Sequence, residues 1–406
     1  MLEQRASVSR RKSEESLSGE DVSLVRRRCA LAIDEELGFV VTPWEVRGEV
    51  DYGKLIKKFG VEPLTGELLQ RIERHAGYLH LYLRRGLFFA HRDLGLWLDS
   101  YEKGVKVILY TGRGPSGKTH IGHLVPWIFT KYLQDSFKAT LYFQVTDDEK
   151  FLVKQELTME EVEKYSYDNV LDVIAVGFDS ERTKIFIDTK YAKTLYRIAV
   201  EVAKHVTFST AKATFGFTES SNIGIIFFPA IQAAPCFLAQ YLEGEDAHVL
   251  IPCAIDQDPY WRIARDVAPK LGFRKPAGIF SKFVPGLIQG GKMSASIPES
   301  SIFMTDTPEE AAKKVWNAFT GGQPTVKEQR EKGGNPDICT VYYYFYFLFE
   351  EDDKAVEDLY QRCRTGDIIC GECKRKLAEK VAKFLEEHQR RRERAKDLVD
   401  KFLVED

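Results

Sequence analysis

Cysteine is scarce, with seven in 406 residues. The odd count and wide spacing exclude a dense disulfide framework, so free thiols in a reducing compartment are expected. No run approaches the ~18 uninterrupted apolar residues of a membrane span. The stretch VYYYFYFLF, Val341 to Phe349, is far shorter and reads as buried helix or strand. Nor is there a surplus of one charge: 58 Lys plus Arg against 61 Asp plus Glu leave −3. That excludes a globally basic nucleic-acid binder and confines any RNA contact to local patches. The first residues, MLEQRASVSRRKSEESLSGEDVS, lack the apolar core of a secretory signal. Glu3, Glu14, Glu15, Glu20 and Asp21 argue against a mitochondrial transit peptide, so a cytoplasmic protein with no membrane partner is expected.

What is present is enough for more than one core. The chain is 44% hydrophobic, and single cores stop growing near ~250–300 residues, so two folded units are expected. Residues 1–24 begin with Ser, Arg, Lys and Glu in place of large apolar side chains and read as a mobile tail. Residues 25–98 read as a preface packed on the main domain, with DYGKLIKKFG as a short element and ELLQRIERHAGYLHLYLRRG as one amphipathic helix ending at glycine. Residues 99–300 alternate β-rich runs with helical ones: VKVILYT (105–111), ATLYFQVT (139–146), KIFID (184–188) and HVLIPCA (248–254). Strand, crossover helix, strand is the order of a parallel sheet covered on both faces, hence an α/β fold. Residues 301–406 carry helical patterns only. Their last part spaces Leu377, Val381, Phe384, His388, Arg391, Ala395, Leu398 and Phe402 as one helical stripe.

The most conspicuous local feature is ILYTGRGPSGKTHIGHLVPW, a strand running through a glycine-rich turn into a helix. Such a turn points backbone N–H groups and a helix amino terminus at an anion, so it suits phosphates. On the loop alone two identities stay open. Gly112 to Thr119 satisfies G-x-x-x-x-G-K-[ST], the P-loop pattern, in which Lys118 and Thr119 would serve the phosphates and magnesium. A P-loop enzyme also needs an apolar strand ending in an acidic residue, and no convincing one is read from the sequence. The second identity uses the next residues: His120, Ile121, Gly122 and His123 spell HIGH, and about 170 residues on, Lys292 to Ser296 spell KMSAS. His120 and His123, three apart on a first helical turn, aim at one spot, and Lys292 follows Gly290 and Gly291 on a loop able to close.

HIGH and KMSAS in that order are the two signatures of class I aminoacyl-tRNA synthetases. Longer phrases narrow the resemblance: FQVTDDEK (143–150), KHVTF (204–208), FGFTES (215–220), FPAIQAAP (228–235), CAIDQDPYWR (253–262), RDVAPKLG (265–272) and KMSASIPESSIFMTD (292–306). With them the chain resembles tryptophanyl-tRNA synthetases of the eukaryotic and archaeal type from about Val41 to its end. The resemblance implies a Rossmann-like parallel-sheet catalytic domain over 99–300, an all-helical anticodon-binding domain over 301–406 and a homodimer. It also implies L-tryptophan, ATP with Mg2+ and tRNA(Trp) as reaction partners.

Carried over by position, His120, His123, Lys292 and Ser294 are the expected catalytic residues. Arg113, Gly114, Pro115, Gly122, Asp256 and Met293 join them around ATP. Tyr110 and Gln144 are expected to recognise the indole N–H, with Glu149, Gln232 and Gln257 at the α-amino and carboxylate ends. An indole N–H only donates, so its site must offer acceptors such as a phenol or amide oxygen. Each of these residues has a plainer reading: Tyr110 as core, Gln144 and Gln232 as satisfied buried amides, and the 147–149 acids as a helix-start signal. The turn GPSGKTHIGH is one residue shorter before His120 than the GPSS-type turn of animal relatives. The resemblance therefore carries no role to Ser116, Gly117 or Lys118, and an extra phosphate contact from Lys118 is an expectation of this chain alone. CGEC (370–373), with Cys363 upstream, lacks a fourth ligand at zinc-site spacing, so no metal site is expected. QRRRERAK (389–396) reads as a solvated helix face or a phosphate-facing patch.

Overall fold

The computed structural model describes residues 39–42, 46–48, 50–244, 246–289, 291–295 and 297–406. The expected 1–24 tail, Gly290 and Ser296 lie outside the described residues. The apolar runs form strands through a period-2 alternation that buries both faces. Ile108 and Tyr110 enter one hydrophobic cluster while Val107 and Leu109 enter the other. The strands are β1 (Val40–Val41) and β2 (Val46–Arg47), a small antiparallel pair, then β3 (Glu62–Pro63), β4 (Phe88–Arg92), β5 (Lys106–Arg113) and β6 (Thr140–Val145). They continue with β7 (Thr183–Ile187), β8 (Ala247–Ala254) and β9 (Ala277–Ser281).

The main sheet has seven strands in the order β3-β4-β9-β8-β5-β6-β7. β5 to β9 run parallel, while β3 and β4 add an antiparallel edge. From β5 the chain steps outward to β6 and β7, then returns to lay β8 on the other side of β5. That reversal opens a crevice at the carboxyl ends of β5 and β8, the place where doubly wound sheets bind ligands. The helices used below are α1 (Ile121–Phe137), α2 (Asp147–Val153), α3 (Met159–Ala175), α4 (Ile223–Ala233) and α5 (Cys370–Ala395).

Several expectations need correction. The preface helix is split: Gly66–Ala76 ends at Gly77, whose left-handed φ of 81° closes the last turn, and Leu81–Arg84 is a separate turn. Strands do not wholly vanish after residue 300, because Leu403 bridges Ile185 and Val404 N donates to Ile185 O at 2.8 Å, covering the sheet edge at β7. The last stripe is interrupted too, since α5 ends at Ala395 and it is Leu385 and Arg392 that turn inward beside His388, while Arg391 is exposed. Finally, Ile223–Glu243 is long and apolar enough by composition to cross a membrane, a segment overlooked because Gln232 and Gln240 interrupt it. Its most apolar 18 residues are 67% buried inside the fold, so the stretch serves as core.

The carboxy-terminal helices share one hydrophobic cluster with the sheet, joining Leu377, Val381 and Leu385 to Trp127 and Phe143. α5 is also tied to α3 by His388 Nε2 and Asp172 Oδ1 at 3.0 Å, and by Arg392 Nε with the same oxygen at 3.0 Å. Within QRRRERAK, Arg392 thus makes an internal ion pair, while Arg390 and Arg391 pair with Glu387 on the surface.

Candidate active site

The glycine turn follows from β5 meeting α1 at the switch point. A side chain at Gly112 would place its Cβ 2.7 Å from the Gln144 carbonyl oxygen of β6, so only glycine allows the two strands to close there. Arg113 Nε donates to Asn169 Oδ1 at 3.0 Å, and Asn169 Nδ2 donates to Gly117 O at 3.0 Å, so α3 braces both ends of the turn. Burial pulls the Arg113 guanidinium down to about 10. Lys118 is exposed and outside the cavity.

His120 precedes α1, and its backbone N–H donates to His123 Nδ1 at 3.1 Å, which caps the helix. The two imidazoles stack with centroids 3.5 Å apart. Burial, with Arg113 and Lys292 adding like charge, pushes His120 down to about 3. His123 is lowered well below its usual range for the same leading reason, so both rings are neutral at physiological pH. A Cβ at Gly122 would stand 3.1 Å from His120 Nδ1 and 3.3 Å from Met293 Sδ, so the glycine lets the second signature approach the first. The segment after KMSAS completes the contact: His120 bridges Phe303, and Ile121 N and Met304 N donate across to Ile302 O and Thr119 O.

A cavity of about 380 Å³ lies in the crevice. Of the expected ATP residues, Arg113, Gly114, His120, Gly122, His123 and Asp256 line it, as do Lys292, Met293 and Ser294. Pro115 is buried beside the turn and does not. Lys292 Nζ stands 3.6 Å from Asp256 Oδ2, while Asp256 Oδ1 is buried with no hydrogen-bond partner. Burial raises the Asp256 carboxyl against the lowering effect of Lys292. An orphaned acceptor beside a cation is arranged for a ligand that both donates hydrogen bonds and carries negative charge.

Glu149, Gln232 and Gln257 line the same cavity, as do Phe228, Trp127 and Trp261. Glu149 accepts from Thr146 Oγ1 at 3.0 Å and from Lys150 Nζ at 2.7 Å. Tyr110 and Gln144 are fully buried and do not line the cavity. The Tyr110 hydroxyl donates to Gln144 Oε1 and receives Gln232 Nε2 at 3.0 Å. Gln232 thus links them to the open space.

The P-loop alternative loses its basis here. An acid, Asp188, does follow directly on β7, a strand pattern passed over in the sequence. That carboxylate engages Gln144, and Lys118 is exposed and does not line the cavity.

The family model for class I tRNA synthetases of the W and Y type matches residues 102–386. The tryptophan–tRNA ligase of Pyrobaculum calidifontis is 53% identical over 372 residues, covering 92% of this chain and 99% of the relative. That of Thermococcus sibiricus is 55% identical over 367 residues, covering 90% and 94%. The chain belongs to the tryptophanyl-tRNA synthetase family. Solved synthetases of the family share its shape: that of Giardia lamblia superposes with a TM-score of 0.82 at 39% identity, over 87% of this chain and 96% of that one. The enzyme of Encephalitozoon cuniculi bound to tryptophan gives 0.80 at 37% identity, over 88% and 99%.

Within this synthetase, sequence reasoning passed over Asn169, Asp188, Lys150 and Phe228 as contributors. Asn169 had no local signal, since it reaches the turn only through packing of α3. Asp188 was legible as the acidic end of an apolar strand.

Proposed function

We infer that this chain works as a tryptophan–tRNA ligase, forming tryptophanyl-adenylate and pyrophosphate from L-tryptophan and ATP, then transferring tryptophan to tRNA(Trp). The observation that carries this reading is the meeting of His120, His123, Lys292 and Asp256 in one crevice that is also lined by aromatic rings and by Gln232, which rests on Tyr110. Adenylate formation needs little covalent catalysis. It needs a carboxylate oriented on the α-phosphorus and positive groups where charge develops on the departing pyrophosphate.

Lys292, with Ser294 and the Met293 backbone, is assigned to the phosphates. The neutral His120 and His123 donate hydrogen bonds to them, and Arg113, Gly114, Pro115 and Gly122 shape the turn against the nucleotide. Asp256 suits the ribose hydroxyls, its free Oδ1 accepting. Glu149, Gln232 and Gln257 are assigned to the α-amino and carboxylate groups. Tyr110 and Gln144 are assigned to the indole N–H, which requires one of them to trade its present partner for the substrate. Magnesium fits as a passenger on the ATP phosphates, where it neutralises charge. Among the described residues no group of three or more His, Cys, Asp or Glu converges to hold an ion.

The assignment extends to the whole chain: a preface over 25–98 behind the 1–24 tail, a catalytic domain over 99–300 and an anticodon-binding domain over 301–406, in a cytoplasmic homodimer that uses no membrane. Exposed Tyr196, Phe208 and Ile223, the last 86% exposed, give helices that pack together an apolar surface suited to a second copy. The decisive experiment is ATP–pyrophosphate exchange followed by charging of tRNA(Trp). Exchange driven by tryptophan and not tyrosine is expected; exchange driven by tyrosine, or none, overturns the reading.

A further inference from the structure

One element has no part in the site as described: the segment Leu403 to Asp406, which follows the short helix Val399–Phe402. Leu403 packs against one hydrophobic cluster and Val404 against the other, so the segment closes the sheet edge at β7 as a further short strand would. Val404 N donates to Ile185 O at 2.8 Å, and Asp406 N donates to Lys190 O at 3.2 Å. The Asp406 carboxylate accepts from Thr194 N at 3.0 Å and from Thr194 Oγ1 at 2.5 Å. Thr194 lies in the first turn of the helix Ala192–Lys204, whose preceding residue, Tyr191, makes no side-chain cap. Asp406 supplies that cap from 212 residues away, and its negative charge suits the helix amino terminus.

Between these anchor points lies Asp188, the residue directly after β7, which is buried and holds the amide nitrogen of Gln144 with both carboxylate oxygens. From the buried side the same loop is held by Asp147, which accepts from Thr189 N at 3.1 Å and from the Thr189 hydroxyl. We propose that Leu403 to Asp406 form a strap that positions Asp188, and through it the amide of Gln144, for tryptophan. Val404 and Asp406 are its positioning residues. The inference rests on the assignment of Tyr110 and Gln144 to the indole N–H.

The loop needs restraint from outside because its buried acid gains by leaving. Burial raises the Asp188 carboxyl well above its usual range, and the charges of Asp148 and Asp147 raise it further. A carboxyl crowded by two others away from water is favoured to swing outward, where it ionises freely. The bonds at Ile185, Lys190 and Thr194 tie the backbone before and after Asp188 and oppose that movement. Once Asp188 moves, the Gln144 amide is free to rotate and present nitrogen where an indole N–H needs oxygen.

Tryptophan-dependent ATP–pyrophosphate exchange by the full chain tests this. Asp406→Ala is expected to raise the KM for tryptophan about threefold to fivefold, the scale of a lost helix cap, with kcat and the KM for ATP held within about twofold. Asp406→Asn, which keeps an acceptor oxygen for Thr194, should recover most of that loss. Val404→Pro removes the N–H bonded to Ile185 O and is permitted by the extended Leu403 (φ −78°, ψ 128°), so it should act as Asp406→Ala does. Should Val404→Pro not fold, the two Asp406 variants decide. In an Asp188→Ala background, where Gln144 is already released, adding Asp406→Ala should change the KM for tryptophan by less than about 1.5-fold. A strap that merely stabilises the fold would not lose its effect there. Equal rises in both KM values, additive effects in the double variant, or single variants that match the unaltered chain overturn the proposal. No tryptophan-driven exchange by the unaltered chain defeats the functional reading and the strap's role with it, whereas normal exchange with insensitive variants defeats the strap alone.

Discussion

Asp188 holds the amide nitrogen of Gln144 with both carboxylate oxygens, at 3.0 and 2.9 Å, and so turns the amide oxygen of Gln144 toward Tyr110. An indole N–H needs an acceptor, and this arrangement decides that Gln144 presents oxygen and not nitrogen at that end. Asp188 is a positioning residue. Asp188→Ala frees the amide to rotate and leaves a buried donor without a partner, a loss of about 1–3 kcal/mol. The KM for tryptophan is expected to rise about tenfold while kcat and the KM for ATP change little, and Asp188→Asn, which still offers an oxygen, should recover part of it. A uniform fall in kcat would mean that the change acts on the fold instead.

Lys292 and Asp256 face each other at 3.6 Å in the cavity. Lys292→Ala removes the charge assigned to the departing pyrophosphate. By analogy with loss of a single preorganised donor, kcat for exchange should fall about 10²–10³-fold. The KM for tryptophan, whose recognition is assigned to other residues, should hold within about threefold. An equal loss in tryptophan binding would place Lys292 elsewhere in the reaction.

Lys118 tests the turn that departs from animal relatives. The P-loop pattern suggests a phosphate contact, yet the side chain is exposed and outside the cavity. Lys118→Ala is therefore expected to leave the apparent affinity for ATP and the exchange rate within about twofold, as for a surface change. A tenfold rise in the KM for ATP would show that the turn closes on the nucleotide and brings Lys118 with it.

Much of this was legible because it rests on local pattern. The four central strands announce themselves as apolar runs, and their order within an alternating chain implies a parallel sheet. The clustering of His120, Lys292 and Asp256 followed from resemblance over long phrases. What could not be read were relationships made by packing between distant segments. Nothing near Asn169 says that α3 braces the glycine turn, and nothing near Cys339 says that it lines one small cavity with Cys370 and Cys373. β9 and β4 were missed as strands for a related reason: AGIFS and FFAHR are short, and only neighbours in the sheet define them. Tyr110 and Gln144 were found as residues, but their enclosed hydrogen-bonded state was visible only in three dimensions.

Burial raises the carboxyls of both Asp148, at the start of α2, and its neighbour Asp188; the charge of Asp148 raises Asp188 further, while a hydrogen bond with Asp188 holds Asp148 down in part. Asp148 is pushed up to about 7, and Asp188 is raised well above its usual range. In the unfolded chain both ionise near 3.9. Between about pH 4 and pH 7 the folded chain therefore keeps a proton that the unfolded chain has lost. Stability from this pair is present at the acid end and is lost as pH rises through 7. Asp148→Asn removes the repulsion while keeping a polar side chain. It should raise the unfolding free energy read from urea titration at pH 8 by on the order of 1 kcal/mol and have a smaller effect at pH 5, where the pair already shares a proton. Equal gains at both pH values would mean that the two carboxyls do not share a proton in the folded chain.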